Sequence, residues 1–408
     1  VTTVIGGNCG SSLAPISQGE LDSVKKWGVG GLNKININWH EFKEFIEVIE
    51  KRGLGVNFGT LLGHHTVRSE VVKDESKDLS GKELDLLLSY IKEGLKDGAL
   101  GVSIGLDHFH SKNVQIDEIK KVSELVDEEK RVISSHLIDS EDPNKSLKYL
   151  LKRTKENSNK QLNHLQPLAS SVKEYKELEE VLTKKSTKES INFDCCPYPA
   201  TIIPLYKFLP DWAQFGSLQE MVEVLEKNEE KIIDHFKGVT SKKMIFANIP
   251  SPLDFYNNKT LKEISENNKT TQIKALYKLL IQTKLRGVCI YHNVNEKVLD
   301  EFIFSDLSFI SSNGLNIILP KFNAFTEFLD KVNTSNKISL EKAISKITSL
   351  PAKKFGIKNR GVIKENYKGD VVVLDNFKVR DVVINGKICF KNNQVNKTLS
   401  GNFIKWEN

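Results

Sequence analysis

Short apolar runs alternate with amphipathic helical stretches through the first two-thirds of the chain. The apolar runs lie at residues 2–6, 54–58, 100–104, 131–137, 161–166, 190–194 and 307–312. Strands that alternate with helices at this spacing pair in parallel, so the pattern predicts an α/β fold with a parallel sheet. The runs are almost continuously apolar, which indicates a sheet that is buried on both faces.

The seven strand–helix units predict a (β/α)8-type TIM barrel with one strand missing. A doubly wound open sheet is the alternative architecture. The first run continues as GGNCGSS (6–12), which does not match the G-x-G-x-x-G pattern of a dinucleotide site. The barrel is therefore the favoured interpretation, and no dinucleotide site is expected.

The segment SGKELDLLLSYIKEGLKDG (80–98) shows how the helix ends are marked. Its apolar residues recur three and four positions apart, which is typical of an amphipathic helix. Ser80 and Glu83 form a capping-box pattern at its start, and Gly98 marks its end. The sequence predicts one helix between these signals.

Two later segments depart from the strand–helix alternation. Residues 207–290 have mainly helical patterns, which predicts a helical insertion into the last part of the barrel. Beyond residue 350 the pattern is strand–turn–strand, with a hairpin signal at Asn385–Gly386. The sequence thus predicts a barrel at 1–349 and a small C-terminal β domain, of half-sandwich type, at 350–408.

Composition narrows the classes of function. The 408 residues contain no apolar run of the roughly 18 residues that a membrane span needs, so no membrane association is expected. The net charge is +6, but lysine and glutamate are interspersed, which argues against nucleic-acid binding. The five cysteines form no CxxC pair, which indicates a reducing compartment and predicts a cytoplasmic protein.

Three side chains with the chemistry of zinc ligands follow predicted strands. Cys9 comes after the first apolar run, His136 ends the fourth and His164 lies in the fifth. The carboxyl ends of barrel strands form the active-site mouth. One thiolate and two imidazoles suit a zinc ion that keeps an open position for water. The alternative is a pair of hydrogen-bonded core histidines and a loop thiol.

Four segments resemble the D-aminoacylase, or N-acyl-D-amino-acid deacylase, branch of the amidohydrolase superfamily. They are VTTVIGGNCGSSLAP (1–15), GTLLGHHTVR (59–68), GALGVSIGL (98–106) and ITSLPAKKFGIKNRGVIKENYKGDVVVLD (347–375). The resemblance runs in order over essentially the whole chain. It implies zinc-dependent hydrolysis of the amide of a small N-acyl-amino-acid-like molecule, which releases a D-amino acid and a carboxylate.

The resemblance also assigns roles to individual positions. In the family a loop cysteine and two strand-end histidines hold the tight zinc, and these match Cys9, His136 and His164. One zinc ion is expected. The family tyrosine that helps to hold the carbonyl oxygen falls on Tyr198 of CCPYPAT, and Arg68 is a candidate substrate-binding residue.

Several positions depart from the family pattern. The family's catalytic aspartate, a general base, is replaced by Asn313, whose amide cannot take up a proton at neutral pH. Lys321 stands near the position of a substrate-binding arginine. Lysine keeps the positive charge but lacks the paired N–H groups with which arginine binds a carboxylate. Gln166 replaces a lysine and His108 replaces a tyrosine of the substrate pocket. All of these positions remain candidate catalytic or substrate-binding residues.

The resemblance also implies that the missing strand is the family's first barrel strand, which carries a His-x-His metal motif and is expected upstream of Val1, so the TIM barrel is expected to be one lacking its first strand. DHFH (107–110) is an alternative source of such a pair. Two functions follow: an impaired zinc amidohydrolase, or a catalytically inactive relative that binds a small molecule or a partner subunit. We expect the chain to hydrolyse N-acyl-D-amino acids barely or not at all, and Asn313→Asp alone to restore little activity.

Overall fold

The fold is a mixed α/β arrangement built around a parallel sheet. The structure is a computed structural model that describes residues 1–16, 36–72, 77–106, 114, 116–137, 142–239, 243–314 and 323–407. The strands in these ranges are β1 Thr3–Gly6, β2 Asn57–Thr60, β3 Leu62–Gly63, β4 Gly101–Gly105, β5 Val132–His136, β6 Asn159–Leu162, β7 Ile191–Cys195, β8 Thr201–Pro204, β9 Met244–Ala247, β10 Val288–Tyr291, β11 Ser308–Ile310, β12 Val371–Asp375, β13 Lys378–Ile384, β14 Lys387–Lys391 and β15 Gln394–Val395.

The helices of the described ranges fall mostly between these strands. They are α1 Phe42–Arg52, α2 His64–Val71, α3 Gly81–Asp97, α4 Ile116–Glu128, α5 Pro143–Leu151, α6 Val172–Ser186, α7 Leu218–Lys227, α8 Glu229–Val239, α9 Leu261–Asn267, α10 Gln272–Gln282, α11 Glu296–Phe304, α12 Ala324–Ser335, α13 Leu340–Lys346 and α14 Ser349–Lys354. None of the helices within the described ranges is long and apolar enough to cross a membrane.

The predicted parallel pairing of the early strands is confirmed. β1 pairs with β2, and a six-stranded sheet follows in the order β3–β4–β5–β6–β7–β11. All of these pairs are parallel. Only Leu61 separates β2 from β3, so one run of chain links the two sheets. Within the part of the chain that the structure describes, β1 and β11 do not pair with each other.

The strand boundaries differ from the predicted ones by a few residues. The run predicted at 54–58 forms its strand at Asn57–Thr60, and the run at 161–166 ends its strand at Leu162. The backbone of His164 has φ 32°, a left-handed conformation that a strand cannot contain. Apolar composition alone does not reveal such a local change of backbone.

Helix α3 ends at the predicted signals. The Oγ of Ser80 accepts a hydrogen bond from the N–H of Glu83 at 3.4 Å, and the Ser80 N–H donates to Glu83 Oε2 at 2.7 Å. Gly98 caps the other end with φ 119°. Leu87, Ile91 and Leu95 of this helix are fully buried in the main hydrophobic core. The periodicity and both helix ends are therefore confirmed.

The segment predicted as a helical insertion also contains strands. β9 and most of β10 lie in this segment, and with β8, which precedes it, they form an antiparallel sheet in the order β8–β10–β9. Helices α7 to α10 supply much of a second hydrophobic core that includes Leu225, Phe236, Phe246 and Leu280. The four-residue strands β9 and β10 are too short for periodicity to distinguish them from buried helix segments, which is why the sequence suggested helices alone.

Residues 371–395 form an antiparallel sheet of the four strands β12 to β15. Asn385 and Gly386 connect β13 to β14 with φ values of 48° and 79°. Positive φ at both positions is what a type I′ hairpin turn requires, so the hairpin signal is confirmed. Helix α14 spans the predicted boundary at residue 350, and the division into two domains stays a prediction.

A buried lysine gives the fold a testable pH dependence. Burial, with the charge of Lys160 nearby, lowers the pKa of Lys354 from 10.5 to about 7. Between these values the folded chain holds a neutral amine while the unfolded chain holds a protonated one. The free energy of unfolding therefore rises with pH in this window, by at most ~1.4 kcal/mol per unit.

We expect Lys354→Met to stabilise the chain at about pH 6, where the wild-type protein buries a charge. The advantage should shrink by about pH 9, where the amine is already neutral in the folded state. Urea unfolding at both pH values measures the effect. The exposed neighbour Lys353 provides a matched control, Lys353→Met, which should show no such dependence. An advantage that stays constant with pH would contradict the prediction.

Candidate metal centre

The loop that carries Cys9 is held in one conformation by its backbone and by a neighbouring strand. Gly7, Cys9 and Gly10 have φ values of 74°, 58° and 81°, all in the left-handed region. Ser103 of β4 donates from its Oγ to the carbonyl of Gly7 at 2.5 Å and accepts the Gly10 N–H at 3.0 Å. One side chain of the central sheet thus holds the loop on both sides of Cys9.

Helix α2 begins against the same loop. The carbonyl of Gly10 accepts the N–H groups of His65 at 2.9 Å and Thr66 at 3.3 Å. The Ser12 N–H donates to Thr66 Oγ1 at 2.9 Å, and Ser12 Oγ accepts the N–H of Gly63 at 3.0 Å. These bonds satisfy backbone groups at the helix start that have no partner within the helix. The Cys9 loop is therefore continuous with a fixed helix terminus.

The two predicted histidines lie beside Cys9. His136 is the last residue of β5, and His164 follows the end of β6. Their ring centroids are 4.2 Å apart, with the rings inclined at 75°. The Sγ of Cys9 lies 2.9 Å from Nε2 of His164. The sulfur and one nitrogen of each histidine lie within 4.8 Å of one another. The structure thus brings the three predicted ligands together.

The electrostatics of the cluster favour a thiolate. Burial alone would raise the pKa of the Cys9 thiol, but the charge of His164 and hydrogen bonds to both histidines lower this pKa to about 6. Burial opposes a charge on His164, yet the Cys9 thiolate outweighs it and raises the pKa of His164. The two histidines therefore favour the thiolate form of Cys9, which is the form that binds a metal ion.

This donor set fits a zinc ion. Ligand atoms on a tetrahedral zinc, at bond lengths of ~2.0–2.3 Å, lie roughly 3–4 Å apart, which is the scale observed here. A thiolate and two imidazole nitrogens are preferred zinc donors. Among the described residues, this is the one group of three such side chains close enough to share an ion.

Gln166 fixes the turn that carries Tyr198. Its side chain is buried, and Nε2 donates to the carbonyls of Cys196 at 3.2 Å, Tyr198 at 3.0 Å and Ala200 at 3.4 Å. The Tyr198 ring lies 5.6 Å from the ring of His292, and burial raises the pKa of Tyr198. Gln166 thus links the strand end at His164 to the Tyr198 turn, and its predicted contact with substrate stays a prediction.

Arg68 lies in a buried charged cluster. Its side chain is 2% exposed, and Nε donates to Glu118 Oε1 at 3.1 Å. Nε2 of His64 lies 2.8 Å from the same oxygen. Burial would raise the pKa of Glu118, but His64 and Arg68 lower it. The cluster joins α2 to α4, and a role of Arg68 in substrate binding stays a prediction.

Asn313 occupies the turn after β11, with φ 44° and a part-buried side chain. The turn is tied to the end of β7, because the Ser311 N–H donates to the Cys195 carbonyl at 3.1 Å and the Cys196 thiol approaches the Ser312 carbonyl at 3.7 Å. Two other candidates, His108 and Lys321, lie outside the described residues.

Three side chains near these candidates are not among the residues that the sequence predicted. Ser103 holds the Cys9 loop, and His292 lies against the Tyr198 ring. Asp194 binds the backbone of His164 at 2.9 Å. Asp194 ends the predicted strand at 190–194, so the rule that polar strand ends line a barrel mouth could have identified it. No comparable signal marks Ser103, which lies inside a strand.

Comparisons with known proteins agree with the motifs. The model of the amidohydrolase family matches residues 295–389. N-acyl-D-aspartate deacylase of Alcaligenes xylosoxydans xylosoxydans is 24% identical over 390 residues, which are 93% of this chain and 71% of that protein. D-aminoacylase of the same organism is 25% identical over 143 residues, 34% of this chain and 28% of that protein. The predicted resemblance to the D-aminoacylase branch of the amidohydrolases is confirmed.

The fold of the chain is similar to that of solved deacylase structures. A D-aminoacylase crystal structure superposes with a TM-score of 0.79 at 19% identity, covering 99% of this chain and 83% of that one. N-acyl-D-glutamate deacylase of Bordetella bronchiseptica, solved with zinc and a phosphonate inhibitor, gives 0.79 at 18% identity, covering 99% and 82%. At these identities the likeness shows that the chain shares the fold of both deacylases.

Proposed function

We propose that the chain is a zinc-dependent amidohydrolase of the D-aminoacylase type. The single observation that carries the proposal is the Cys9–His136–His164 cluster, whose ligand atoms lie within 4.8 Å of one another. The relatives support the substrate class, because they are named as deacylases of N-acyl-D-amino acids. The proposed substrate is a small N-acyl amino acid, and the proposed cofactor is one zinc ion. The unpatterned cysteines favour a cytoplasmic location.

We further propose that the parallel strands form a (β/α)8-type barrel over residues 1–349, with the insertion at 207–290. The strand order supports this interpretation, because β3 to β7 are neighbours in chain order and β11, after the insertion, pairs with β7. A barrel would put the C-terminal ends of β1, β5 and β6 at one mouth, where such enzymes act. Residues 350–408 would then form the separate β domain.

We assign separate roles to the residues at this mouth. The Cys9 thiolate and the two imidazoles would hold the ion. Zinc bound there supplies Lewis-acid polarisation of an amide carbonyl and lowers the pKa of water. Tyr198, on the turn that Gln166 fixes, would donate its phenolic hydrogen to the carbonyl oxygen. Arg68, His108, Gln166 and Lys321 are proposed to form the substrate pocket.

Asn313 limits the rate of amide hydrolysis expected at this site. An amide side chain has no titratable acceptor, so it cannot take the proton that the hydrolysis of an amide requires. Loss of a general base commonly costs about 10²–10⁴-fold in rate. We therefore propose weak turnover. The same observation favours a second candidate function, in which a catalytically inactive chain binds a small molecule or a partner subunit.

Zinc content and hydrolysis separate the two candidates. The purified chain should contain one zinc ion, and it should release acetate slowly from N-acetyl-D-methionine but not from the L enantiomer. Slow D-specific turnover that Cys9→Ser removes and Cys389→Ser retains supports the hydrolase. Zinc with no turnover supports the binding protein. A chain that binds no zinc contradicts the zinc-dependent hydrolase.

A further inference from the structure

His164 has a backbone conformation that needs outside support. It follows β6 in a loop and has φ 32°, in the left-handed region that a residue with a side chain seldom adopts. Such a conformation persists only where surrounding contacts fix it, and these contacts cluster at functional sites. Because this backbone sets the direction of the His164 side chain, whatever fixes it also sets the 2.9 Å separation from the Cys9 sulfur.

Asp194 supplies those contacts. Its Oδ1 accepts the backbone N–H of His164 at 2.9 Å, and its Oδ2 accepts Nε2 of Gln161 at 3.0 Å. The backbone carbonyl of Asp194 accepts the N–H of Leu165 at 2.7 Å. One residue therefore binds the chain before, at and after the left-handed position. A carboxylate is a stronger acceptor than a neutral group, which suits it to hold an unfavourable backbone conformation.

The position of Asp194 makes it a rigid support. It lies in β7, which pairs with β6 on one side and with β11 on the other. A ligand that is held from an interior strand of a sheet is placed more accurately than one that depends on its own loop. Both carboxylate oxygens accept hydrogen bonds within the chain, and both bonds hold the end of β6 and the loop that carries His164.

We propose that Asp194 is a positioning residue that sets the His164 imidazole against Cys9, an inference that rests on the proposed zinc function. It acts on the ion only through His164. Outer partners of metal ligands commonly contribute about 10–100-fold to metal affinity. Asp194→Ala should therefore weaken zinc binding by about that factor.

Zinc affinity of the purified chain is measured by competition with a chromogenic chelator. Asp194→Asn keeps an oxygen that can accept the His164 N–H but removes the charge, so its loss should be smaller, about fivefold. Asn192→Ala is the matched control, because Asn192 lies in the same strand and donates one hydrogen bond to Leu307 at 3.2 Å. It should bind zinc as the wild-type chain does.

The cobalt(II)-substituted chain gives a second measurement that does not depend on activity. Its thiolate-to-cobalt absorption band should persist in Asp194→Ala if Cys9 still binds, while the ligand-field bands should change because His164 has moved. The thermal midpoint of the metal-free variants shows whether each is folded. If Asp194→Ala does not fold, the smaller loss of zinc affinity expected in Asp194→Asn tests the proposal.

The outcomes separate this inference from the proposed function. A wild-type chain that binds no zinc overturns the zinc proposal itself. Wild-type zinc affinity in both folded Asp194 variants overturns the positioning role alone. An equal loss in Asn192→Ala also overturns it, because the effect would then be a general weakening of β7. A loss of zinc affinity that is confined to the Asp194 variants, and is larger for Asp194→Ala than for Asp194→Asn, supports the positioning role.

Discussion

Replacement of Cys9 by serine should weaken zinc binding by at least about 100-fold, more than the loss of an outer partner of a ligand. The thiol of Cys9 has a pKa of about 6, because His164 and His136 stabilise the thiolate against the cost of burial. A serine hydroxyl does not ionise near neutral pH, so the variant keeps the shape of the site but loses its one anionic donor. Chelator competition and zinc content measure the loss.

Cys389→Ser is the matched control for this prediction. Cys389 is buried in β14 of the C-terminal sheet, and its thiol approaches only the Lys387 carbonyl among the contacts described. Removal of this thiol should leave zinc affinity unchanged. Equal zinc binding by both variants and the wild-type chain would show that Cys9 is a loop thiol and not a ligand.

Alkylation of the metal-free chain tests the same site without zinc. At neutral pH the Cys9 thiol should react with iodoacetamide first, because its pKa is lowered, whereas burial raises the pKa of Cys195, Cys196 and Cys289. The rate should fall as the pH drops below about 6, and added zinc should protect the thiol. Peptide mapping identifies the modified residue. A first reaction at another cysteine would contradict the prediction.

The sequence predicted the parallel sheet because its physical basis is local. Apolar runs and amphipathic stretches each reflect burial along one element, and the capping residues Ser80 and Gly98 mark ends that the structure confirms. The hairpin at Asn385–Gly386 is likewise encoded by two residues that tolerate positive φ. Such features need no information about distant parts of the chain.

The geometry of the candidate site is not local in this sense. Cys9 and His164 are 155 positions apart, and their contact depends on left-handed backbone at both residues. Periodicity does not report φ, so the strand at 161–166 was extended too far. The supports Ser103 and Asp194 act through backbone groups of other strands. A sequence pattern names candidate ligands but not the side chains that hold them in place.

The short strands of the insertion mark a similar limit. Met244–Ala247 and Val288–Tyr291 pair antiparallel, and their burial resembles that of the helices around them. Four apolar residues in a row carry too little periodicity to separate strand from helix. The pairing depends on the return of the chain after two helices, which only the folded structure reveals.

Gly7→Ala should both destabilise the chain and weaken zinc binding. Gly7 has φ 74°, and a Cβ atom there would lie 2.1 Å from the backbone oxygen of Leu61 and 2.6 Å from Thr60 Oγ1. A backbone atom cannot move aside cheaply, so the loop that carries Cys9 must shift. We expect the free energy of unfolding to fall by about 3–5 kcal/mol, from the left-handed conformation and the clash together.

Gly386→Ala separates the two causes. Gly386 has φ 79°, close to that of Gly7, but no atom lies within 4 Å of the Cβ position. This variant should lose only the ~1–2 kcal/mol of the left-handed conformation and should retain wild-type zinc affinity. Urea unfolding of the metal-free chains and chelator competition measure the two effects. If both variants lost equal stability and bound zinc equally well, the close packing of Gly7 against Leu61 would not be what holds Cys9 beside His164.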